Sequence, residues 1–339
     1  MKIYDLLIVG GGPVGLYAAF YAGMRGLSVG LIEAFDQVGG QPEHLYPEKK
    51  IYDVAGLPEI SGATLIENLL KQLEFVKADI FSGQRVLNIQ KLDDLFSVST
   101  DRNKKYKQAD ENDALVSTDK LFQSKAILLT TGAGLIAPRK LGIEDENKYY
   151  ESGKISYFIK NLADFKDKKV AVLGGGDSAL DWALMLLNVA KEVHLIHRRP
   201  KFRAHEKTVT LLEQSQVKLH IPYTLSALTE NEIELNKVKS DEKKVLSVDK
   251  ILVNYGFLTN QVDLIEQLEV SRSNRILVNR EMQTNLAGVF AAGDGADYEG
   301  KVPLISVGFG EAVIAINAMS KQIELDHALK KGHSSSLFG

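Results

Sequence analysis

The feature that most constrains this chain is a glycine-rich turn that occurs twice, each time between the same kinds of flanking segment. Near the start, residues 4–33 read YDLLIVGGGPVGLYAAFYAGMRGLSVGLIE. A run of strand formers at 6–9 leads into Gly10, Gly12 and Gly15, a G-x-G-x-x-G pattern that contains Pro13. Ala18, Ala19 and Ala22 follow at helical spacing, and residues 27–32 read as a second strand closed by Glu33. Strand, glycine turn, helix, strand and acid is the order of a dinucleotide-binding βαβ unit. Gly10 permits the tight turn out of the strand, Gly12 lets a pyrophosphate approach the backbone, and Gly15 lets the helix lie close on the strand. Free N–H groups at the helix start face the phosphates. A carboxylate at Glu33 can bind both hydroxyls of an adenosine ribose and repels a 2'-phosphate, so this unit suits FAD or NAD.

The pattern returns at 170–196. Residues 170–173 read as a strand, Gly174, Gly176 and Ala179 give G-x-G-x-x-A, residues 179–189 read as a helix, and 192–196 as the next strand. The distance from the first glycine to the end of the second strand is 33 − 10 = 23 positions in the first unit and 197 − 174 = 23 in the second. The second unit therefore carries His197-Arg198-Arg199 where the first carries its acid. Arginine offers forked donors to oxyanions, so this unit is expected to select the 2'-phosphate of NADPH, with Arg203 in the following loop also in reach. Taken alone, the basic triplet reads as a solvated turn; its place at the end of a Rossmann unit favours the phosphate.

The rest of the chain bounds these readings. Its 339 residues leave room for two domains, and 45% apolar with 25% charged content is usual for a soluble globular protein. The net charge of 41 − 44 = −3 argues against a nucleic-acid or other polyanion binder. The absence of cysteine excludes disulfides, thiolate zinc sites, iron–sulfur ligation and a dithiol relay. The seven histidines do not pair with carboxylates at ligand spacing, so no metal is expected. No apolar run approaches the roughly 20 residues of a membrane span. Met1 leads straight into the first strand without room for a signal peptide, so a cytoplasmic enzyme is expected.

Between the motifs, residues 39–50 read as a loop, 66–76 as a helix, and 85–91 and 96–100 as strands. Residues 101–119 read as a charged hairpin end projecting into solvent, 126–131 as a strand closed by Gly132 and Gly134, and 164–169 as a charged connector. Residues 284–294 read as a strand ending in Gly293-Asp294, and an apolar helix is expected from about 310 to 319. An Asp at a strand end close before a helix N-terminus can hold polyol hydroxyls and an anionic ring; an Asp in a surface turn is an equal reading.

VGGGPVGLYAA with Glu33, TTG at 130–132, GGGDSALDWA with HRRPKFRA, and GVFAAGD together resemble the two-dinucleotide flavoproteins of the thioredoxin reductase family over nearly the whole chain. Those enzymes carry Cys-x-x-Cys before the second glycine-rich strand, where this chain reads KISYFIK at 154–160. LYPEKKIYDVAG at 45–56, GDSALDWALML at 176–186, VNYGF at 253–257, YEGKVPLI at 298–305 and the terminal HSSSLF look like a narrower group, the thioredoxin-reductase-like ferredoxin/flavodoxin–NADP reductases of bacteria.

That resemblance implies an α/β fold of two Rossmann-like dinucleotide-binding domains. The FAD-binding domain is discontinuous, residues 1–136 and 259–339, with an NADPH-binding domain, 137–258, inserted. It implies a homodimeric enzyme that moves a hydride from NADPH to FAD and then single electrons to ferredoxin or flavodoxin. Carried over to this sequence, Gly10, Gly12, Pro13, Gly15 and Glu33 hold the adenosine diphosphate part of FAD, and Gln41 and Asp294 contact the flavin end. Tyr46 stacks on the isoalloxazine, Val86 holds adenine through its backbone, and Ile136 packs near the cofactor. His333 and Ser335 in the C-terminal tail cover the other flavin face. Gly174, Gly176, Asp177, Ser178 and Ala179 hold NADPH with His197, Arg198, Arg199 and Arg203. No acid or base catalyst is implied. Without the resemblance, Tyr46 reads equally as a core aromatic and the tail as a disordered polar end. Lys49, Lys50 and Lys301 are candidates for docking an acidic carrier, and each reads equally as an ordinary solvated lysine. Two other readings stand beside this one. One is an NADPH oxidase, or a reductase for another acceptor that is not a dithiol. The other is a non-enzymatic redox sensor, for whose effector domain no segment is left over.

Overall fold

The computed structural model describes residues 2–102, 120–260 and 267–323. Most of the charged segment expected as a hairpin end, and the tail bearing His333 and Ser335, lie outside the described residues. The chain divides into two compact units, Met1–Leu135 with Thr259–Gly339, and Ile136–Leu258.

The first unit is built on a seven-stranded sheet. Its main path runs Ala78–Phe81, Val29–Ile32, Ile3–Val9, Lys120–Leu129, Leu95–Arg102, Gln84–Leu92. Lys120–Leu129 runs parallel to Ile3–Val9 along its length and changes partner on its other side. Its first half pairs antiparallel with 96–100, and Ile127, Leu128 and Leu129 pair parallel with Val289–Ala291. Central strands covered on both faces read as continuous apolar runs, which is why 6–9 shows no alternation. Helix Pro13–Met24 covers one face with its small residues, burying Gly15, Ala18, Ala19 and Ala22. Helix Ile305–Gln322 lies against it: the Tyr17 and Phe309 rings are 4.9 Å apart, and Asn317 Nδ2 donates to the Tyr21 hydroxyl at 3.2 Å. Leu6, Ile8, Leu31, Leu128 and Phe290 form the middle of this core. Burial of each such side chain contributes about 1.5–3 kcal/mol, so residues from both segments of the chain stabilise one another.

The second unit contains a five-stranded, all-parallel sheet in the order Ile155–Ser156, Lys250–Asn254, Lys169–Gly174, Glu192–Ile196, Lys218–His220. Helix Asp177–Leu186 follows its glycine turn. Three antiparallel strands, Tyr223–Leu228, Glu232–Lys237 and Lys243–Ser247, form a separate sheet that the sequence reading did not foresee. Ile233 and Leu235 from it pack with Ala171, Leu173 and Ile196.

Other boundaries differ from expectation. The helix read at 66–76 spans Gly62–Leu73, because Ser61 caps it by accepting the Thr64 N–H at 3.1 Å. The last helix begins at Ile305, ahead of the expected 310; Gly308 and Gly310 hide its first turn from a propensity reading. Gly40–His44 is a short helix inside the segment read as a loop. Among the described residues, no helix is long and apolar enough to cross a membrane.

Candidate dinucleotide sites

In the first glycine turn each glycine has a different physical reason. Gly10 has φ +108°, and a Cβ there would stand 2.5 Å from the Thr130 carbonyl oxygen. Thr130 Oγ1 donates to the Gly10 carbonyl at 2.8 Å and closes the turn. A Cβ on Gly15 would lie 2.0 Å from the Gly10 carbonyl oxygen, so the helix rests directly on the turn. Gly12 is open instead: the nearest atom to a Cβ there is Gly40 Cα at 3.8 Å. Gly12 is also the N-cap of the helix, with no side chain capping it and Pro13 at the first helical position. At Gly12 the start of the helix is therefore open and uncapped, as a pyrophosphate approaching its N–H groups requires.

Glu33 directly follows the strand Val29–Ile32. It is 6% exposed; its Oε2 accepts the Gly11 N–H at 2.6 Å and its Oε1 the Phe35 N–H at 2.9 Å. Burial pushes its carboxyl above the usual carboxylate range, against the pull of those backbone donors. The Gln84 N–H donates to the Glu33 carbonyl at 2.9 Å. This starts the strand Gln84–Leu92 beside Glu33, with Val86 buried at a bulge in its pairing.

Gln41 sits in the short helix Gly40–His44, whose first residue comes up against Gly12. Tyr46 is half-buried, and its phenol is pushed up to about 12 by burial first and then by the negative charges of Asp294 and Asp53. That electrostatic link brings Tyr46 and Asp294 to one place. Asp294 lies between buried Gly293 and Gly295. A Cβ on Gly308 would stand 2.5 Å from Val14 Cγ2 and 3.3 Å from Gly293 Cα, so the first turns of both long helices converge on this loop.

A residue the sequence reading missed holds the loop in place. Glu311 is 2% exposed, and its carboxylate accepts the Gly293 N–H at 2.8 Å and the Tyr298 hydroxyl at 2.7 Å. It also forms an ion pair with Lys301, whose side chain is 2% exposed. Lys301 is thus no surface docking lysine, a correction to its sequence-based reading. Lys50 pairs with Glu59 at 3.0 Å, and Lys49 also interacts with a neighbour. Sequence proximity to a motif does not reveal which carboxylate a lysine meets after the chain turns.

The second turn repeats the geometry with different chemistry. Gly174 and Ala179 are in contact, Gly176 caps the helix Asp177–Leu186, and Ser178 is exposed at its start. The loop after His197 folds back over the turn. The Arg203 N–H donates to the Gly175 carbonyl at 2.7 Å, and Asp177 Oδ1 accepts the His205 N–H at 2.9 Å. The His197 ring lies on Gly175, where a Cβ would stand 2.2 Å from Nδ1. It corresponds to Glu33, whose Oε2 is 3.1 Å from a Cβ on Gly11. His197 stacks on Phe202 at 5.4 Å, and burial, with Arg199 and Arg198 nearby, pushes its pKa down. Arg198 and Arg199 are exposed, and among the described residues neither forms an ion pair. Ile136 lies in the strand Leu135–Pro138, and its side chain is not among those described.

Two glycine turns of this geometry define a protein built to hold two dinucleotides. The family model described as pyridine nucleotide-disulphide oxidoreductase matches residues 4–318, and the chain belongs to that family. It is 57% identical over 338 residues to a ferredoxin–NADP reductase of Lactococcus lactis subsp. cremoris strain SK11, covering 100% of both chains. It is 43% identical over 342 residues to ferredoxin–NADP reductase 2 of Shouchella clausii, covering 99% of this chain and 98% of the other. Among solved structures, thioredoxin reductase of T. acidophilum matches with TM-score 0.75 at 22% identity, covering 95% of this chain and 99% of that one. Thioredoxin reductase of Lactococcus lactis matches with TM-score 0.74 at 24% identity, covering 94% and 99%. The structural matches show the shared fold. The chain has no cysteine, so the disulphide part of the family description has no counterpart in it.

Proposed function

We propose that this chain is an FAD-dependent ferredoxin–NADP reductase that transfers electrons between NADPH and ferredoxin. The observation that carries the reading is full-length identity of 57% to reductases so named, in a chain whose lack of cysteine removes the dithiol route. The first unit holds FAD. Gly10, Gly12, Pro13 and Gly15 cradle its pyrophosphate, Glu33 takes the adenosine ribose, and Val86 lies beside the adenine. Gln41, Tyr46 and Asp294 face the flavin end. The second unit holds NADPH on Gly174, Gly176, Asp177, Ser178 and Ala179, with Arg198 and Arg199 on the 2'-phosphate and His197 over the turn. Arg203 fixes the loop through its backbone and directs its side chain to the same anion. The chemistry FAD supplies when bound is exchange of an electron pair as hydride on one side and of single electrons on the other. The protein's part is to place the two nucleotides and exclude water.

Flavodoxin serves as an alternative carrier, and the enzyme works as a homodimer in the cytoplasm. The test is rapid-mixing reduction of the FAD-loaded protein by NADPH, followed by ferredoxin, flavodoxin, thioredoxin and oxygen as acceptors. Fast turnover with ferredoxin or flavodoxin and none with thioredoxin is expected. Turnover confined to oxygen would replace this reading with that of an oxidase.

A further inference from the structure

The carboxyl edge of the parallel sheet in the second unit carries a polar side chain outside the glycine turn and the basic loop. Asn254 is the last residue of the strand Lys250–Asn254 and stands in register with Gly174 on the neighbouring strand. Its Nδ2 is buried and, among the described residues, has no hydrogen-bond partner. Native structures rarely keep a buried amide donor without an acceptor, because the lost hydration is not recovered. An orphan donor at a ligand-binding edge points to an acceptor that arrives with the ligand.

The topology says which part of a ligand that is. From Lys169–Gly174 the chain moves outward on one side through Glu192–Ile196 and Lys218–His220, then returns to Lys250–Asn254 on the other side. The strand order thus reverses between Lys169–Gly174 and Lys250–Asn254. In open parallel sheets, ligands lie outside the carboxyl ends of the strands at such a reversal. Asn254 flanks that crevice: a Cβ on Gly174 would stand 3.2 Å from Asn254 Cβ and 2.6 Å from its carbonyl oxygen. His197, Arg198 and Arg199 follow the strand on the opposite side of Gly174, which gives that side to the phosphorylated adenosine. The other half of the dinucleotide falls to the side of Asn254.

We infer that Asn254 is a further cofactor-binding residue, whose Nδ2 donates to an acceptor oxygen on the nicotinamide mononucleotide half of NADPH. The inference rests on the assignment of NADPH to this unit, and the test separates the two. The probes are NADP+ and 2',5'-ADP, which keeps the phosphorylated adenosine but lacks the nicotinamide half, titrated into the FAD-loaded protein by calorimetry. Asn254→Ala is expected to weaken NADP+ roughly tenfold and to leave 2',5'-ADP within about twofold, the loss of one hydrogen bond to a polar or charged acceptor. Arg198→Ala is expected to weaken both. Equal weakening of both ligands by Asn254→Ala, or of neither, overturns the role of Asn254. Failure of the parent protein to bind 2',5'-ADP overturns the NADPH assignment instead. A thermal melt supplies a readout other than affinity. Without nucleotide, Asn254→Ala should melt no lower than the parent, since the removed donor had no partner, while the rise in melting temperature on adding NADP+ should shrink. A lower melting temperature without nucleotide would make Asn254 a structural residue and end the inference.

Discussion

Glu33 combines two tasks that pull its protonation in opposite directions. Burial raises its pKa, while the Gly11 and Phe35 N–H groups favour the carboxylate. In the apoprotein, an acid whose folded pKa is raised adds stability below its unfolded value, and that stability is lost as pH rises through the folded value. Ribose hydroxyls donating to Glu33 favour the ionised form, so FAD binding releases a proton wherever the apoprotein holds one. FAD affinity should therefore fall as pH drops below the raised pKa, and Glu33→Gln should weaken FAD by roughly 10- to 100-fold and flatten the dependence. Fluorescence titration of apoprotein across acid pH checks this; an unchanged slope in the variant would remove Glu33 from the ribose. At the other nucleotide, Arg198→Ala should reduce kcat/KM for NADPH by about 10- to 100-fold and leave NADH nearly unchanged. Steady-state kinetics with both nucleotides decide it, and equal losses would refute the 2'-phosphate contact. Glu33 and the arginines were legible in the sequence because fixed spacing from a glycine turn sets where a strand ends. The Glu33–Gly11 bond, the seating of His197 on Gly175 and the orphan amide of Asn254 were not, because each is a side-chain orientation that spacing leaves free.

Elements with strong periodicity and a glycine turn were read in the right places, whereas those defined by tertiary contact were not. The helix Ile305–Gln322 starts early because Gly308 is needed where it passes Val14 and Gly293, a reason that exists only in three dimensions. The same holds for Glu311, which looks like one more helical glutamate in the sequence. In the structure it ties the last helix to the Gly293–Lys301 segment through three donors. Removing one partner of a buried pair leaves the other charge uncompensated, so Lys301→Met should destabilise the protein by about 3–5 kcal/mol. Lys301→Met with Glu311→Leu should lose less than the sum of the single variants, a coupling of at least about 1 kcal/mol. Denaturant unfolding of the four proteins measures it. Strict additivity would mean that the pair does not act as a unit. If Lys301 instead steered an acidic carrier, its replacement would alter the salt dependence of the carrier's KM and leave stability alone, the opposite of what its burial dictates.

On the proposed reading each unit takes one nucleotide, and every described residue proposed for FAD other than Ile136 lies in Met1–Leu135 or Thr259–Gly339. The arrangement was legible in outline because two copies of one turn at equal spacing require two sheets. The added sheet at 223–247 was not, since short polar strands carry little pattern. The chain leaves the first unit and re-enters it through Leu135–Pro138 and Phe257–Asn260, which pair with each other as a two-stranded ribbon. The ends of the two segments are therefore close, and a loop that replaces the inserted unit closes at small entropic cost. Replacing residues 136–258 with a short glycine–serine linker should give a protein that still binds FAD, within about tenfold of the parent, because Gly12, Glu33 and the loop held by Glu311 remain. Its flavin should no longer be reduced by NADPH at a measurable rate, while residues 136–258 expressed alone should bind 2',5'-ADP and no FAD. Absorbance of the bound flavin, its reduction under NADPH and calorimetry on the separate unit provide the readouts. A linker protein that folds, by circular dichroism, yet takes up no FAD would show that the flavin site needs the second unit, and the assignment of one nucleotide to each unit would fall.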